Sequence, residues 1–130
     1  MPKLIQLKTL SDSRGALTVI EKVLPFDIKR VYYIYKSDPR QVRGGHRHKI
    51  TCQALICLNG SCCVKTHDGD KIEEFNLNHP DLCLIVEPRD FHTMYRFEND
   101  AVLLVLASEF FDDGDYIDEP YPGWKDEIND

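Results

Sequence analysis

Two histidines, His46 and His48, lie two residues apart in the run Arg-Gly-Gly-His-Arg-His-Lys at positions 43–49. Side chains alternate between the faces of a β-strand, so on a strand both imidazoles share one face, about 6.5–7 Å apart at the backbone. Imidazole has an ordinary pKa of about 6.5 and therefore gives and takes protons near neutral pH. The pair predicts either a proton-transfer site or a metal site. Two surface histidines on an exposed strand are the alternative without chemistry.

Short strands must position these histidines, because no stretch of the chain keeps a 3.6-residue apolar period over the length of a helix. Strands are predicted at residues 3–9, 16–22, 30–35, 52–58, 61–66, 71–77, 82–86, 91–97 and 101–107. Asn59-Gly60 and Asp68-Gly69 are typical of two-residue hairpin turns. About ten short strands at this spacing predict an all-β fold, a sandwich or a jelly-roll barrel, in a single domain over residues 1–130.

The charge of the chain is uneven. Its 130 residues carry a net charge of -6, which makes a nucleic acid an unfavourable partner. Residues 112–130 form an acidic tail, which we expect to lie on the surface without forming a core element. Residues 30–49 are basic, with Asp38 as their one acidic side chain. A basic region in an acidic protein favours a small anionic ligand such as a sugar nucleotide, and a solvated surface strand is the alternative.

The five cysteines are odd in number and include no Cys-x-x-Cys pair, which argues against a zinc ribbon or a redox motif. The N-terminus has no secretory signal pattern. No apolar run approaches the ~20 residues that span a bilayer, so we expect no membrane partner. Together these features predict reduced thiols in a cytoplasmic protein.

The spacing His46-x-His48, four residues, Gln53, six residues, Gly60, with Pro-x-x-x-His92 further on, resembles the two sequence boxes of the cupin superfamily. The resemblance implies a cupin jelly-roll β-barrel with the histidines facing an inner cavity. In metal-binding cupins three histidines and a glutamate hold the metal, and here Gln53 stands in place of the glutamate. A neutral amide is a weaker ligand for a divalent cation, so a site without metal is favoured. A metal-dependent cupin with an unusual Gln ligand is the alternative.

Further segments span most of the chain in order: residues 12–15 (Asp-Ser-Arg-Gly), 29–34, 43–49, 57–61, 105–108 and 115–117. In these segments the chain is similar to the dTDP-4-keto-6-deoxyglucose 3,4-ketoisomerases of the WxcM-like cupin group. The resemblance implies a reaction without cofactor, in which a proton leaves C3, an enediol(ate) forms and C4 is protonated. It implies that His46 is the base at C3 and that His48 moves a proton between the C3 and C4 oxygens.

The same resemblance bears on the product and on the partners. Arg14 and His92 match the members that form the galacto product, dTDP-3-keto-6-deoxy-D-galactose, and the gluco product is the alternative. Members of the group are homodimers that exchange N-terminal strands, and residues 1–10 fit such a strand. The product is expected to enter the biosynthesis of a 3-amino-3,6-dideoxyhexose of lipopolysaccharide or a related glycan. A non-catalytic cupin that binds a dTDP-linked sugar is a further alternative.

The candidate substrate-binding residues are Arg14, Tyr33, Tyr35, Arg43, Lys49, Gln53 and His92. Arg14 follows a turn and either meets the pyrophosphate or sugar or faces solvent. Tyr33 and Tyr35 share a strand face and either line the cavity or belong to the core. Arg43 and Lys49 flank the histidines and are suited to neutralising a diphosphate.

The remaining assignments concern three other positions. Gln53 is suited to holding an imidazole tautomer or a sugar oxygen. His67 and His79 fall in predicted turns and are expected at the surface.

Overall fold

A computed structural model of the chain describes residues 1–126. Its strands are β1 (Lys3–Gln6), β2 (Lys8–Asp12), β3 (Gly15–Val19), β4 (Arg30–Ile34), β5 (Arg43–His48), β6 (Gln53–His67), β7 (Ile72–Leu77), β8 (Leu82–Val86), β9 (Phe91–Ala107) and β10 (Tyr116–Ile117), and a 3₁₀ turn spans Asp113–Asp115. Within residues 1–126, no helix is long and apolar enough to cross a membrane.

Eight strands form one sheet built around β6 and β9, which pair antiparallel along most of their length. The order is β1-β8-β6-β9-β5-β10, with β7 also paired to β6 and β4 also paired to β9. Because β6 and β9 change neighbours along their length, the strands are arranged as a jelly-roll-like sandwich. The predicted all-β jelly roll is confirmed, although the sandwich is open rather than closed into a barrel.

The first half of β6 is buried on both faces. Leu55 and Cys57 belong to one core cluster, whereas Ala54 and Ile56 belong to a second cluster on the other side of the strand. Period-two alternation sends neighbouring side chains to opposite faces, so a strand covered on both faces needs an unbroken apolar run. Gln53, the first residue of this strand, is buried as well.

Asn59-Gly60 is not a hairpin turn, and this prediction is wrong. The pairing of β6 with β9 continues through it, with register shifts between Cys57 and Cys63. Gly60 has φ +66, and a Cβ there would lie 2.3 Å from the carbonyl oxygen of Glu98. Glycine is required because the two backbones approach closely at this bulge. The strands predicted at residues 52–58 and 61–66 are therefore one strand, as are those at 91–97 and 101–107.

The N-terminal residues form two strands rather than one. β1 pairs with β8 of the same chain, with Lys3 opposite Ile85, and β2 forms a hairpin with β3. In the described range β2 and β3 pair only with each other. Exchange of residues 1–10 with a partner subunit stays a prediction.

Candidate active site

β5 carries His46 and His48 on one face of the sheet. Their ring centroids are 5.1 Å apart, with the ring planes at 84°. Gly44, at φ +82, precedes them, and a Cβ there would lie 3.0 Å from the carbonyl oxygen of His92. Glycine therefore lets β5 approach β9 closely. The register shifts between Gly44 and His46, which leaves His46 directly opposite His92.

His92 on β9 supplies a third imidazole. Its ring centroid lies 5.3 Å from that of His46 and 6.3 Å from that of His48. Nδ1 of His92 lies 3.0 Å from the backbone oxygen of Asp90. A carbonyl oxygen can only accept a hydrogen bond, so Nδ1 carries the proton and Nε2 is left as an acceptor.

The acidic tail enters the site, and the prediction that it lies on the surface is wrong for residues 115–117. β10 pairs with β5, with Tyr116 opposite His48. The Tyr116 ring centroid lies 4.7 Å from that of His46 and 4.6 Å from that of His48. Asp115 is buried, and its Oδ2 lies 2.9 Å from Nδ1 of His48. The last residues of the predicted tail, 127–130, lie outside the described residues.

The carboxylate of Asp115 is surrounded by donors. The backbone N–H groups of Lys49 and Ile50 donate to Oδ1 at 3.0 and 2.8 Å. The Thr51 hydroxyl and Nδ1 of His48 donate to Oδ2. Burial raises the pKa of Asp115, but the hydrogen bonds from Thr51, Ile50 and His48 outweigh burial and hold the pKa below its usual value. Asp115 is therefore a buried carboxylate that is ionised at neutral pH.

Burial lowers the pKa of each histidine in the site. It lowers the pKa of His46 to about 4, with His48 acting in the same direction and Asp118 against it. It lowers the pKa of His92 to about 3. Burial also lowers the pKa of His48, against the opposing effect of Asp115. All three imidazoles are thus neutral at pH 7, and neutral imidazole is the form that accepts a proton.

Residues 119–124 of the tail contact side chains on the face of β5 opposite to the histidines and on β6. Arg47 donates from Nε to the backbone oxygen of Glu119 at 3.3 Å and lies over the Tyr121 ring, 4.4 Å from its centroid. His67 packs edge-on against Tyr121 and parallel to Trp124. His67 is only 5% exposed, so its predicted surface position is wrong, whereas His79 is exposed. These contacts hold the segment that places Asp115 and Tyr116.

A protein-family model described as "WxcM-like, C-terminal" (FdtA) matches residues 1–127. The chain belongs to the FdtA family. A curated relative, the TDP-4-oxo-6-deoxy-alpha-D-glucose-3,4-oxoisomerase of Aneurinibacillus thermoaerophilus, is 48% identical over 117 residues, which cover 88% of this chain and 84% of the relative.

Solved structures of 3,4-ketoisomerases superpose on this FdtA-family chain. One is a histidine-to-asparagine mutant of the 3,4-ketoisomerase QdtA from Thermoanaerobacterium thermosaccharolyticum in complex with TDP-4-keto-6-deoxyglucose (TM-score 0.87, 45% identity, 91% of this chain and 87% of that chain). Another is the WlaRB TDP-quinovose 3,4-ketoisomerase from Campylobacter jejuni (TM-score 0.87, 42% identity, covering 91% of this chain and 92% of that chain). The family predicted from the sequence is confirmed.

The side chains of this family member do not fit the metal of metal-binding cupins. Gln53 is buried, and its amide nitrogen donates to the Tyr32 hydroxyl at 3.3 Å. Among residues 1–126, no group of three His, Cys, Asp or Glu side chains is arranged to hold a metal ion. A neutral amide also adds no charge to balance a divalent cation.

Two predicted binding residues are exposed: Tyr33 lies on the outer face of β4, and Tyr35 follows directly after this strand. Tyr33 and Tyr35 are 61% and 57% exposed, so neither lines the histidine cluster within one chain, and neither belongs to the core. Tyr32, on the opposite face, packs against the core and meets Gln53. The two-residue period defined both faces of this strand but not which one turns inward.

Three further candidates are cationic and exposed. Arg14 lies in the turn between β2 and β3, where it forms an ion pair with Asp12. Arg43 begins β5, and Lys49 follows β5 with its backbone N–H bound to Asp115. Within the single chain, no contact of these three side chains with the histidine cluster is observed in the described range.

Sequence reasoning missed five residues around the cluster: Asp115, Tyr116, Thr51, Tyr32 and Arg30. The guanidinium of Arg30 lies 4.5 Å from the Tyr32 ring centroid and 5.2 Å from that of Phe111. One signal was available for all of them except Thr51, because the segments 29–34 and 115–117 are among those that resemble the family.

Proposed function

We propose that the protein is a sugar-nucleotide 3,4-ketoisomerase that converts dTDP-4-keto-6-deoxy-D-glucose to dTDP-3-keto-6-deoxy-D-galactose. The observation that carries this proposal is the pair of neutral imidazoles, His46 and His48, 5.1 Å apart on one strand face. The family and its relatives named as 3,4-ketoisomerases supply the substrate class.

The reaction needs two proton movements and no net redox change. The C4 ketone acidifies the C3 hydrogen, His46 removes it, and the resulting enediol(ate) is protonated at C4. The second proton passes from the C3 oxygen to the C4 oxygen through His48. Nε2 of His48 is buried and has no hydrogen-bond partner among the described residues, so its lone pair is not used within the chain. General acid–base groups of this kind contribute about 10²–10⁴-fold in rate.

The galacto configuration suits a single carbon base. In that product the C4 hydrogen lies on the ring face from which the C3 hydrogen was removed, so His46 can serve both carbons. Arg14 and His92 at the positions found in galacto-forming members support the same choice. The gluco product is the second candidate, because a relative of 42% identity is named for TDP-quinovose, the gluco-configured 6-deoxy sugar.

We also propose that the enzyme works as a homodimer in the cytoplasm. The hairpin of β2 and β3 exposes Leu10 and Leu17, and β4 exposes Val31 and Tyr33, each by more than half of its surface. An apolar surface of this kind favours a second copy of the chain as its cover. The 3-keto product is suited to an aminotransferase that yields a 3-amino-3,6-dideoxyhexose.

The proposed activity is tested by incubating the enzyme with dTDP-4-keto-6-deoxyglucose, with and without a chelator, and identifying the product by NMR. The expected result is an unchanged rate with chelator and a 3-keto product of galacto configuration at C4. A chelator-sensitive rate would contradict the metal-free mechanism, and a gluco C4 would contradict the stereochemistry. Binding of the sugar nucleotide without turnover would favour the non-catalytic alternative.

A further inference from the structure

The contact between the tail and β5 has a chemical consequence for His48. Asp115 is 4% exposed, and its Oδ2 faces Nδ1 of His48 at 2.9 Å. A carboxylate is only an acceptor, so Nδ1 must carry the proton. Neutral imidazole has one N–H, and Nε2 is therefore left as an acceptor. The same Nε2 is the buried ring atom without a partner among the described residues.

The orientation of Asp115 is itself determined. Backbone N–H groups are permanent donors, and those of Lys49 and Ile50 both bind Oδ1. This leaves Oδ2 for His48 and for the Thr51 hydroxyl. The backbone of His48 is fixed as well, because its N–H donates to the Pro88 oxygen at 2.7 Å. Neither partner of the pair is free to turn away.

We propose that Asp115 is a positioning residue that holds His48 as the Nδ1–H tautomer and so makes Nε2 the atom that receives and returns the substrate proton. The catalytic part of this proposal rests on the ketoisomerase function proposed above. An orienting carboxylate also stabilises the imidazolium that forms when Nε2 takes the proton. Asp115 acts through His48 and does not itself transfer a proton to the sugar.

For the substitution Asp115→Asn we predict the other tautomer of His48, with the proton on Nε2. The two backbone N–H groups retain the amide oxygen of Asn, so the NH₂ group is turned toward His48 and Thr51. The Thr51 hydroxyl can rotate to accept, but Nδ1 of His48 must become an acceptor to pair with an NH₂ group. The proton then moves to Nε2, which can no longer accept one from the substrate.

Nitrogen-15 NMR of the free enzyme measures the tautomer directly and needs no substrate. We expect His48 to be Nδ1–H in the wild type and in Asp113→Asn, which removes an exposed charge from the same 3₁₀ turn. We expect Asp115→Asn to shift His48 toward Nε2–H. An Nε2–H tautomer in the wild type would overturn the proposal even if Asp115→Asn failed to fold.

Steady-state kinetics distinguish a positioning role of Asp115 from a role in substrate binding. With dTDP-4-keto-6-deoxyglucose, Asp115→Asn is expected to lower kcat by about 10²–10⁴-fold, with KM changed less than about threefold. Asp113→Asn is expected to leave kcat and KM at their wild-type values. A kcat for Asp115→Asn equal to that of Asp113→Asn would overturn the proposal. If the wild type does not turn over this sugar, the proposed function fails while the tautomer result still stands on its own.

Discussion

The Thr51 hydroxyl donates to Oδ2 of Asp115, the same oxygen that accepts from His48. Thr51 follows β5 and Asp115 precedes β10, so this bond joins the two segments that build the site. The contact links a short loop to the geometry of the proposed proton shuttle.

Replacing Thr51 by valine tests this link with little change in shape. Thr51→Val removes one donor from a buried carboxylate, and we expect a loss of about 1–3 kcal/mol in the free energy of unfolding. We also expect a moderate fall in kcat, because Asp115 keeps its backbone donors. Urea unfolding and turnover measure the two effects.

Thr66→Val is the matched control. Thr66 is fully buried, and its hydroxyl has no hydrogen-bond partner among the described residues. Its replacement by an apolar group of similar shape should leave stability unchanged or slightly raised. Equal losses for the two variants would show that the Thr51 bond contributes nothing specific.

His92 predicts a pH dependence of stability. Burial lowers its pKa to about 3 in the folded protein, whereas an unfolded histidine has a pKa of about 6.5. Between these values the unfolded chain binds a proton that folded His92 does not. Stability therefore falls as the pH drops from 6.5 toward 3, by up to about 1.4 kcal/mol per pH unit for this group.

We expect the variant His92→Gln to reduce the slope of the unfolding free energy against pH by the contribution of about one bound proton. Urea unfolding at a series of pH values between 4 and 7 measures this slope. Part of the slope should persist, because the pKa of His46 is lowered in the same direction. His79→Gln, at an exposed position, is expected to leave the slope unchanged. A His92→Gln slope identical to the wild type would contradict the buried, neutral state of His92.

The bulge at Gly60 predicts a large penalty for a single methyl group. A Cβ would lie 2.3 Å from the backbone oxygen of Glu98 and 2.6 Å from that of Asn99. Gly60→Ala should therefore cost about 3 kcal/mol or more, from the positive φ and the overlap together.

Gly123→Ala is the comparison, because Gly123 has φ +94 and nothing within 4 Å of its added Cβ. It should show the backbone cost alone, about 1–2 kcal/mol, in thermal or urea unfolding. Similar losses for both variants would mean that the close approach of β6 and β9 does not require glycine.

Local patterns were enough for part of this structure. The period of two places His46 and His48 on one face whatever surrounds them. It also defined the two faces of β4, but the choice of Tyr32 over Tyr33 depends on which face the core covers. Asn-Gly supplies a positive φ to a turn and to a bulge alike, so only the partner strand β9 decides between them.

The contact of His48 with Asp115 lies beyond such patterns. It joins residues 67 positions apart through β10, a strand of two residues. Two residues carry no readable period, and an acidic tail is usually solvated. What brings Asp115 inside is the set of donors offered by Lys49, Ile50 and Thr51, which compensates for burying its charge.

The most direct test of the account is turnover of dTDP-4-keto-6-deoxyglucose by His46→Asn, with substrate binding measured on the same variant. The variant lacks the imidazole that we propose as the base at C3, so kcat should fall by about 10²–10⁴-fold while Kd stays within a few-fold of the wild type. His79→Asn serves as the exposed control and should match the wild type. A His46→Asn enzyme that turns over at close to the wild-type rate would contradict the central claim that His46 is the base at C3.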